Sequence, residues 1–249
     1  MTCVISALSR KISLLTISNP KIKLSLGVGF ATAGLHLAPA WASGHNTCAS
    51  HTPECAAACL NTSGHGAFAK VQEARIRRTK FYFDDQPAFL AQLRREIEQF
   101  ILNAESLKIT PCFRLNLTSD IRWELHGIPQ AYPSYQWYDY TKLTNRKNIP
   151  PNYHLTYSFS GHNFKQCETK LKEGTNIAVP FKIKPQLWMG HQVIDGDAHD
   201  LRFLDPPSSI VGLKLKGRLR ADTSSAFLGD SHPHLIGSSY QATNKGLSP

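Results

Sequence analysis

Between positions 87 and 215 the sequence alternates helix-like with strand-like segments, and this alternation restricts the fold more than any other feature. Residues 87–108 place Phe89, Leu90, Leu93, Ile97, Phe100, Ile101, Ala104 and Leu107 on one stripe of helical period, which predicts an amphipathic helix. Asp84 or Asp85 can cap it, and Pro87 suits its first turn. Short apolar runs follow at 111–117, 136–141, 153–159 and 176–182, with Val193-Ile194 and 210–215 after them. A polar helix over 163–172, closed by Gly174, lies among them. Strands spaced by helices imply βαβ units and a mainly parallel sheet. The expected fold class is therefore α/β: a complete or partial β/α barrel, with an open doubly wound sheet as the alternative. Pro180 marks its run as an edge or a bulge.

Length and charge narrow the class. The chain has 249 residues, which suits one large domain and a real core without a disulfide scaffold. Residues 24–230 read as that domain, 1–23 as an N-terminal extension and 231–249 as a loose tail. Only 18% of residues are charged, which excludes a coiled coil and wholesale disorder. The formal net charge of +10 points to an anionic partner: nucleic acid, nucleotide or another phosphate. Ala40-Trp41-Ala42 before Ser43 has the form of a signal-peptide cleavage site. The apolar stretch at 24–37 ahead of it, however, is diluted by Gly27, Gly29 and Gly34 and is too short to span a bilayer. It reads as a core strand or hairpin that delivers the chain to a cysteine loop, in a cytoplasmic protein with no membrane partner.

That loop is the sharpest chemical signal. Of six cysteines, Cys48, Cys55 and Cys59 crowd together, whereas Cys3, Cys112 and Cys167 are scattered. Cys112 reads as a small core residue and Cys167 as idle. A tight cluster in an intracellular chain indicates metal or redox chemistry. Three thiolates can hold three irons of a [4Fe–4S] cluster and leave the fourth for a substrate or cofactor, with Cys55 and Cys59 on one helical face. Zinc is the rival: His51 completes a Cys₃His set with Cys48, Cys55 and Cys59.

In such folds chemistry collects at the carboxyl ends of strands. Asn116, Ser119, Asp120 and Glu124 follow one predicted strand, Tyr140 and Lys142 end the next, and Ser158 ends a third. Asp195, Asp197 and Asp200 follow Val193-Ile194. Asp120, Glu124 and Lys142 are the candidates for catalysis and proton movement. Asn116, Ser119, Tyr140, Ser158, Asp195, Asp197 and Asp200 are candidates for cofactor or substrate binding. Each alone also reads as a cap or turn residue. A basic segment, Lys70 to Lys80, puts Arg75 and Arg78 on one helix face as candidate phosphate contacts. Lys214, Lys216, Arg218 and Arg220 suggest a second basic ridge. No Walker-type phosphate loop, nucleophile elbow or His-Glu-x-x-His zinc helix is present in the sequence.

The segments LHLAP from Leu35, CLNTSGHG, ARIRRT, RLNLTSDIRWE, YDYTK, GDAHDLRFLDP and IVGLKLKG resemble a family of uncharacterised bacteriophage, prophage and plasmid proteins. The resemblance covers most of residues 17–228. It extends distantly to phage proteins grouped with radical S-adenosylmethionine enzymes, whose three-cysteine loop also follows their first strand. That resemblance implies Cys48, Cys55 and Cys59 as cluster ligands and S-adenosylmethionine as cofactor. The spacing here, Cys-x6-Cys-x3-Cys, departs from the usual Cys-x3-Cys-x2-Cys, and no Gly-Gly-Glu-like motif is evident. The expectation is an iron–sulfur enzyme acting on a nucleotide, nucleic acid or other anionic substrate. The alternative is a non-enzymatic, zinc-stabilised nucleic-acid-binding protein.

Overall fold

The computed structural model describes residues 2–9, 13–57, 59, 61, 64–215 and 225–236. Lys216, Arg218 and Arg220 of the suggested ridge, and 237–249 of the suggested tail, lie outside the described residues. In chain order the elements are α1 (Thr2–Leu8), β1 (Leu15–Thr16), α2 (Pro20–Lys23), β2 (Phe30–Leu35), α3 (Pro53–Ala57), α4 (Ala69–Asp84), α5 (Gln86–Ser106) and β3 (Thr110–Arg114). After these come α6 (Ile128–Ala131), β4 (Gln136–Thr141), β5 (Tyr153–Ser158), α7 (Phe164–Lys172), β6 (Ile177–Phe181), β7 (Leu187–Trp188), β8 (His191–Asp195) and β9 (Ile210–Lys214).

The strands form one mixed sheet, ordered β1-β2-β3-β4-β5-β6-β9-β8-β7. Among the described strands only β1 on β2 and β7 on β8 pair antiparallel; every other pair is parallel. The sheet is open, with β1 and β7 at its two edges. From β2 to β6 each strand lies beside its predecessor, without the order reversal that makes a doubly wound switch point. This order is compatible with a rolled, barrel-like sheet.

The predicted helix is α5. Its stripe residues Phe89, Leu93, Ile97, Phe100 and Ala104 are fully buried, and Asp85 caps it by accepting from the Ala88 N–H at 3.1 Å. Phe113 and Trp137, neighbours on β3 and β4, stack at 4.3 Å within the same core cluster. The alternate residues Cys112 and Tyr138 face the other way and are equally buried, with Leu201 packed on them. Burial on both faces is why β2 and β3 read as continuous apolar runs.

Pro180 corrects the edge expectation: β6 is interior, between β5 and β9. The β5–β6 ladder stops at Ser158↔Ala178, so Pro180 lies past the last β5 pair and its missing N–H breaks no bond there. Gly229 has a different constraint. A Cβ there would lie 2.1 Å from the ring of fully buried Phe181. Gly229→Ala is therefore expected to lose roughly 1–3 kcal/mol of stability in urea denaturation, the usual cost of overpacking. A loss below about 0.5 kcal/mol, within the range of a silent surface change, would show that the ring gives way freely.

Candidate functional site

A cavity of about 280 Å³ opens at the carboxyl ends of the parallel strands. Asn116, Ser119 and Asp120 reach it from the loop after β3, Tyr140 and Lys142 from the end of β4, and Ser158 from the end of β5. Asp197 enters from beyond β8, and Lys214 from the last position of β9. The cysteine loop closes another side with Cys48, His51, Cys55 and Cys59. Leu117, Phe159, Leu213 and Phe227 give it apolar walls.

The loop is tied down at its start. Thr47 donates its hydroxyl to the Ala38 carbonyl at 2.6 Å, and its own carbonyl accepts from the Asp120 N–H at 2.8 Å. The His51 ring nitrogen Nδ1 lies 2.7 Å from the Cys48 carbonyl, so it carries the proton and leaves Nε2 as the lone-pair nitrogen. Thr52 caps the Cys55 N–H at 3.2 Å. None of the three cysteines is in a disulfide. Burial raises the Cys48 and Cys59 pKa values above the usual thiol range, with Arg75 and Lys142 opposing the rise at Cys59. Cys55 and Cys59 do not share a helix face: α3 stops at Ala57, and Cys59 follows in a tighter turn onto the Ala56 carbonyl. Among the described residues no three His, Cys, Asp or Glu side chains are already grouped as metal ligands.

The strand-end residues divide by what already holds them. Asp120 accepts from the Lys142 N–H at 2.8 Å and lies 3.8 Å from Arg146 Nη1; burial nonetheless raises its pKa. Lys142 Nζ makes no ion pair among the described residues. Asn116 is buried and saturated: its Oδ1 accepts from Ser119 Oγ, the Ile121 N–H and Trp123 Nε1, at 2.9 to 3.1 Å. Asn116 and Ser119 thus line the cavity while bracing its floor.

Three candidates lie off the cavity lining. Glu124 takes a two-point bond from Arg146, and both side chains are almost fully buried. Asp200, 0% exposed, pairs with Arg114. Asp195 sits at the surface with Lys184, which also bridges to Asp197 at 2.8 Å. The basic helix is corrected in part. Arg75 is 6% exposed and points inward, and Arg78 donates to the Ser13 carbonyl at 3.0 Å. The exposed cations of α4 are Lys70, Arg77 and Lys80.

Sequence reasoning passed over two residues beneath the cavity. Arg114 lines it, stacks on Tyr140 at 4.5 Å and is held charged by Asp200 against the cost of its burial. Asp139 is wholly buried, accepting from the Asn116 N–H at 2.8 Å and the Tyr153 hydroxyl at 2.7 Å. The available signal was a charge inside each predicted apolar strand, since such a charge needs a partner or a function.

A family model described as Gene product 88 matches residues 9–229. The chain belongs to that family. It is a phage-type family of uncharacterised proteins, and the match does not extend to the radical S-adenosylmethionine likeness. No curated protein and no solved structure matches the chain. Among the described residues no helix is long and apolar enough to cross a membrane.

Proposed function

We propose that the chain is an iron–sulfur enzyme of phage or mobile-element type, acting on a nucleotide, nucleic acid or other anionic substrate. The supporting observation is that three cysteines of one loop and the ends of adjacent parallel strands line a single cavity. On this reading the sheet is a partial β/α barrel with chemistry at its carboxyl-end mouth. Cys48, Cys55 and Cys59 share the lining of that one cavity, though among the described residues they are not already grouped as metal ligands. Cys48, Cys55 and Cys59 would hold a [4Fe–4S] cluster, and S-adenosylmethionine is the cofactor implied by the radical-enzyme resemblance. When bound, such a cluster supplies single electrons to a neighbouring ligand.

The chain's own residues then have separate tasks. Lys142, which makes no ion pair among the described residues, and Lys214, exposed at the rim, attract the anionic group. Asp120 fixes the main chain of Lys142 and so aims that side chain. Phe159 and Phe227 exclude water from the ligand. A second reading, zinc in a non-enzymatic nucleic-acid binder, is favoured by His51, whose Nε2 lone pair is left available by the Cys48 contact.

Anaerobic reconstitution with iron and sulfide tests the choice. The full chain is expected to turn brown and retain iron, and the triple Cys48/Cys55/Cys59→Ala variant to stay colourless. A colourless wild type with stoichiometric zinc would establish the second reading, and one without any metal would end both.

A further inference from the structure

The outer surface of α4 carries exposed aromatic rings at both ends and cations between them. Phe83, in its last turn, is 39% exposed, and the His45 ring lies flat against it at 4.3 Å and 6°. His45 follows the turn Trp41–Gly44, which is closed by the Gly44 N–H on the Trp41 carbonyl at 3.0 Å. Trp41 itself is 63% exposed. At the other end Phe68 is 60% exposed and stacks on His65 at 5.4 Å. At 1.5 Å per helical residue, Phe68 and Phe83 stand roughly 22 Å apart. Rings left facing water in this number mark a surface that a partner covers. Lys70, Arg77 and Lys80 lie on the same exposed side of α4 as Phe83, and none makes an ion pair among the described residues. Glu73 and Asp84 share that side, so the local field is modest and charge alone does not account for the surface.

We infer that this side of α4, with the Trp41 turn, holds a strand of single-stranded nucleic acid. Its bases stack on the exposed rings, and its phosphates meet Arg77 and Lys80. Every base has a π face, so such stacking tolerates any sequence, and cations between the rings neutralise the backbone that joins the stacked bases. A duplex keeps its base faces to itself and offers the rings nothing to stack on. An acidic protein surface would meet the cations but bring no flat partner for the rings. The loop that carries Trp41 also lines the cavity through Pro39 and Cys48, so one segment builds both the surface and the cavity. The strand-binding surface does not depend on what the cysteine loop holds.

The test titrates the full chain at low salt with oligothymidylate and with oligouridylate of about twelve nucleotides, a common site size, and follows tryptophan emission. Trp123, Trp137 and Trp188 are buried, so Trp41 reports on this surface. A saturable quench by either strand is expected, and Trp41→Phe should abolish it. Phe83→Ala should weaken binding by about tenfold, within the range for losing one base–ring stack. Arg77→Ala/Lys80→Ala alters only exposed side chains and should unfold at the wild-type temperature. It should also flatten the slope of log Kd against log salt by about 1.4, the value for two phosphate contacts on a single strand. No quench by either strand, or binding that neither variant weakens, would overturn the inference. An oligothymidylate–oligoadenylate duplex that binds as tightly as the single strand would overturn it too, since paired bases leave the rings no free face. Iron uptake by a chain that gives no quench would overturn this inference and leave the iron–sulfur reading standing.

Discussion

Asp200→Ala is expected to cost about 3–5 kcal/mol of stability, the range for stranding one member of a buried ion pair. Asp200 is 0% exposed and Arg114 8%, so the guanidinium left behind cannot recover its hydration. Arg114 also lies over Tyr140 at 4.5 Å and lines the cavity, so its displacement should disturb the cavity floor as well. The control is the double variant Arg114→Met/Asp200→Leu, which removes both charges and leaves apolar side chains in their place. It should regain most of the loss, because buried pairs are often no better than well-packed apolar replacements. Urea denaturation of the three proteins decides the matter. A single variant as stable as wild type, or a double variant no better than the single, would refute the pairing.

The second large effect is a pH dependence set by Asp139. Its carboxyl is wholly buried, and burial raises its pKa from 3.8 to about 7 despite Arg114, the Tyr153 hydroxyl and the Asn116 N–H, which all favour the charged form. The folded state therefore holds more protons than the unfolded state between those two values. Stability contributed by this group falls as pH rises through that window and levels off above about 7. At 1.36 kcal/mol per pKa unit the loss is on the order of 4 kcal/mol. Asp139→Asn keeps the shape and removes the titration. The stability difference, variant minus wild type, should thus shift in favour of the variant from pH 4.5 to pH 8. A difference that is flat, or that moves the other way, would place the Asp139 carboxylate in a well-solvated or fully neutralised setting.

Local periodicity carried most of the architecture. The stripe from Phe89 to Ala104 and the cap at Asp85 belong to residues three and four apart, so the sequence specifies α5 almost to its ends. Strand alternation with helices implied parallel pairing, and parallel pairing places loop residues at the carboxyl edge. That is why Asp120, Lys142 and Ser158, far apart in the chain, line one cavity with the cysteines. Strand order was not legible, because β9 enters beside β6 through pairings of distant segments. Pro180 misled for the same reason: whether a missing N–H matters depends on the partner strand, here β5, which ends before it.

Which charges are available for function was decided by the tertiary structure alone. Glu124, Asp200 and Arg75 look in sequence like Asp120, Lys142 and Arg77: charged side chains in polar segments. Glu124 and Asp200 are instead taken into buried pairs with Arg146 and Arg114, and Arg75 is buried with its guanidinium on the Asn61 side chain. The sequence by itself determined the parallel α/β class, the α5 helix and the spacing of the cysteine loop, because these depend on near neighbours in the chain. Burial and pairing of charges depend on which distant segments meet, and in a low-dielectric interior a counter-ion at contact separates a structural charge from a reactive one.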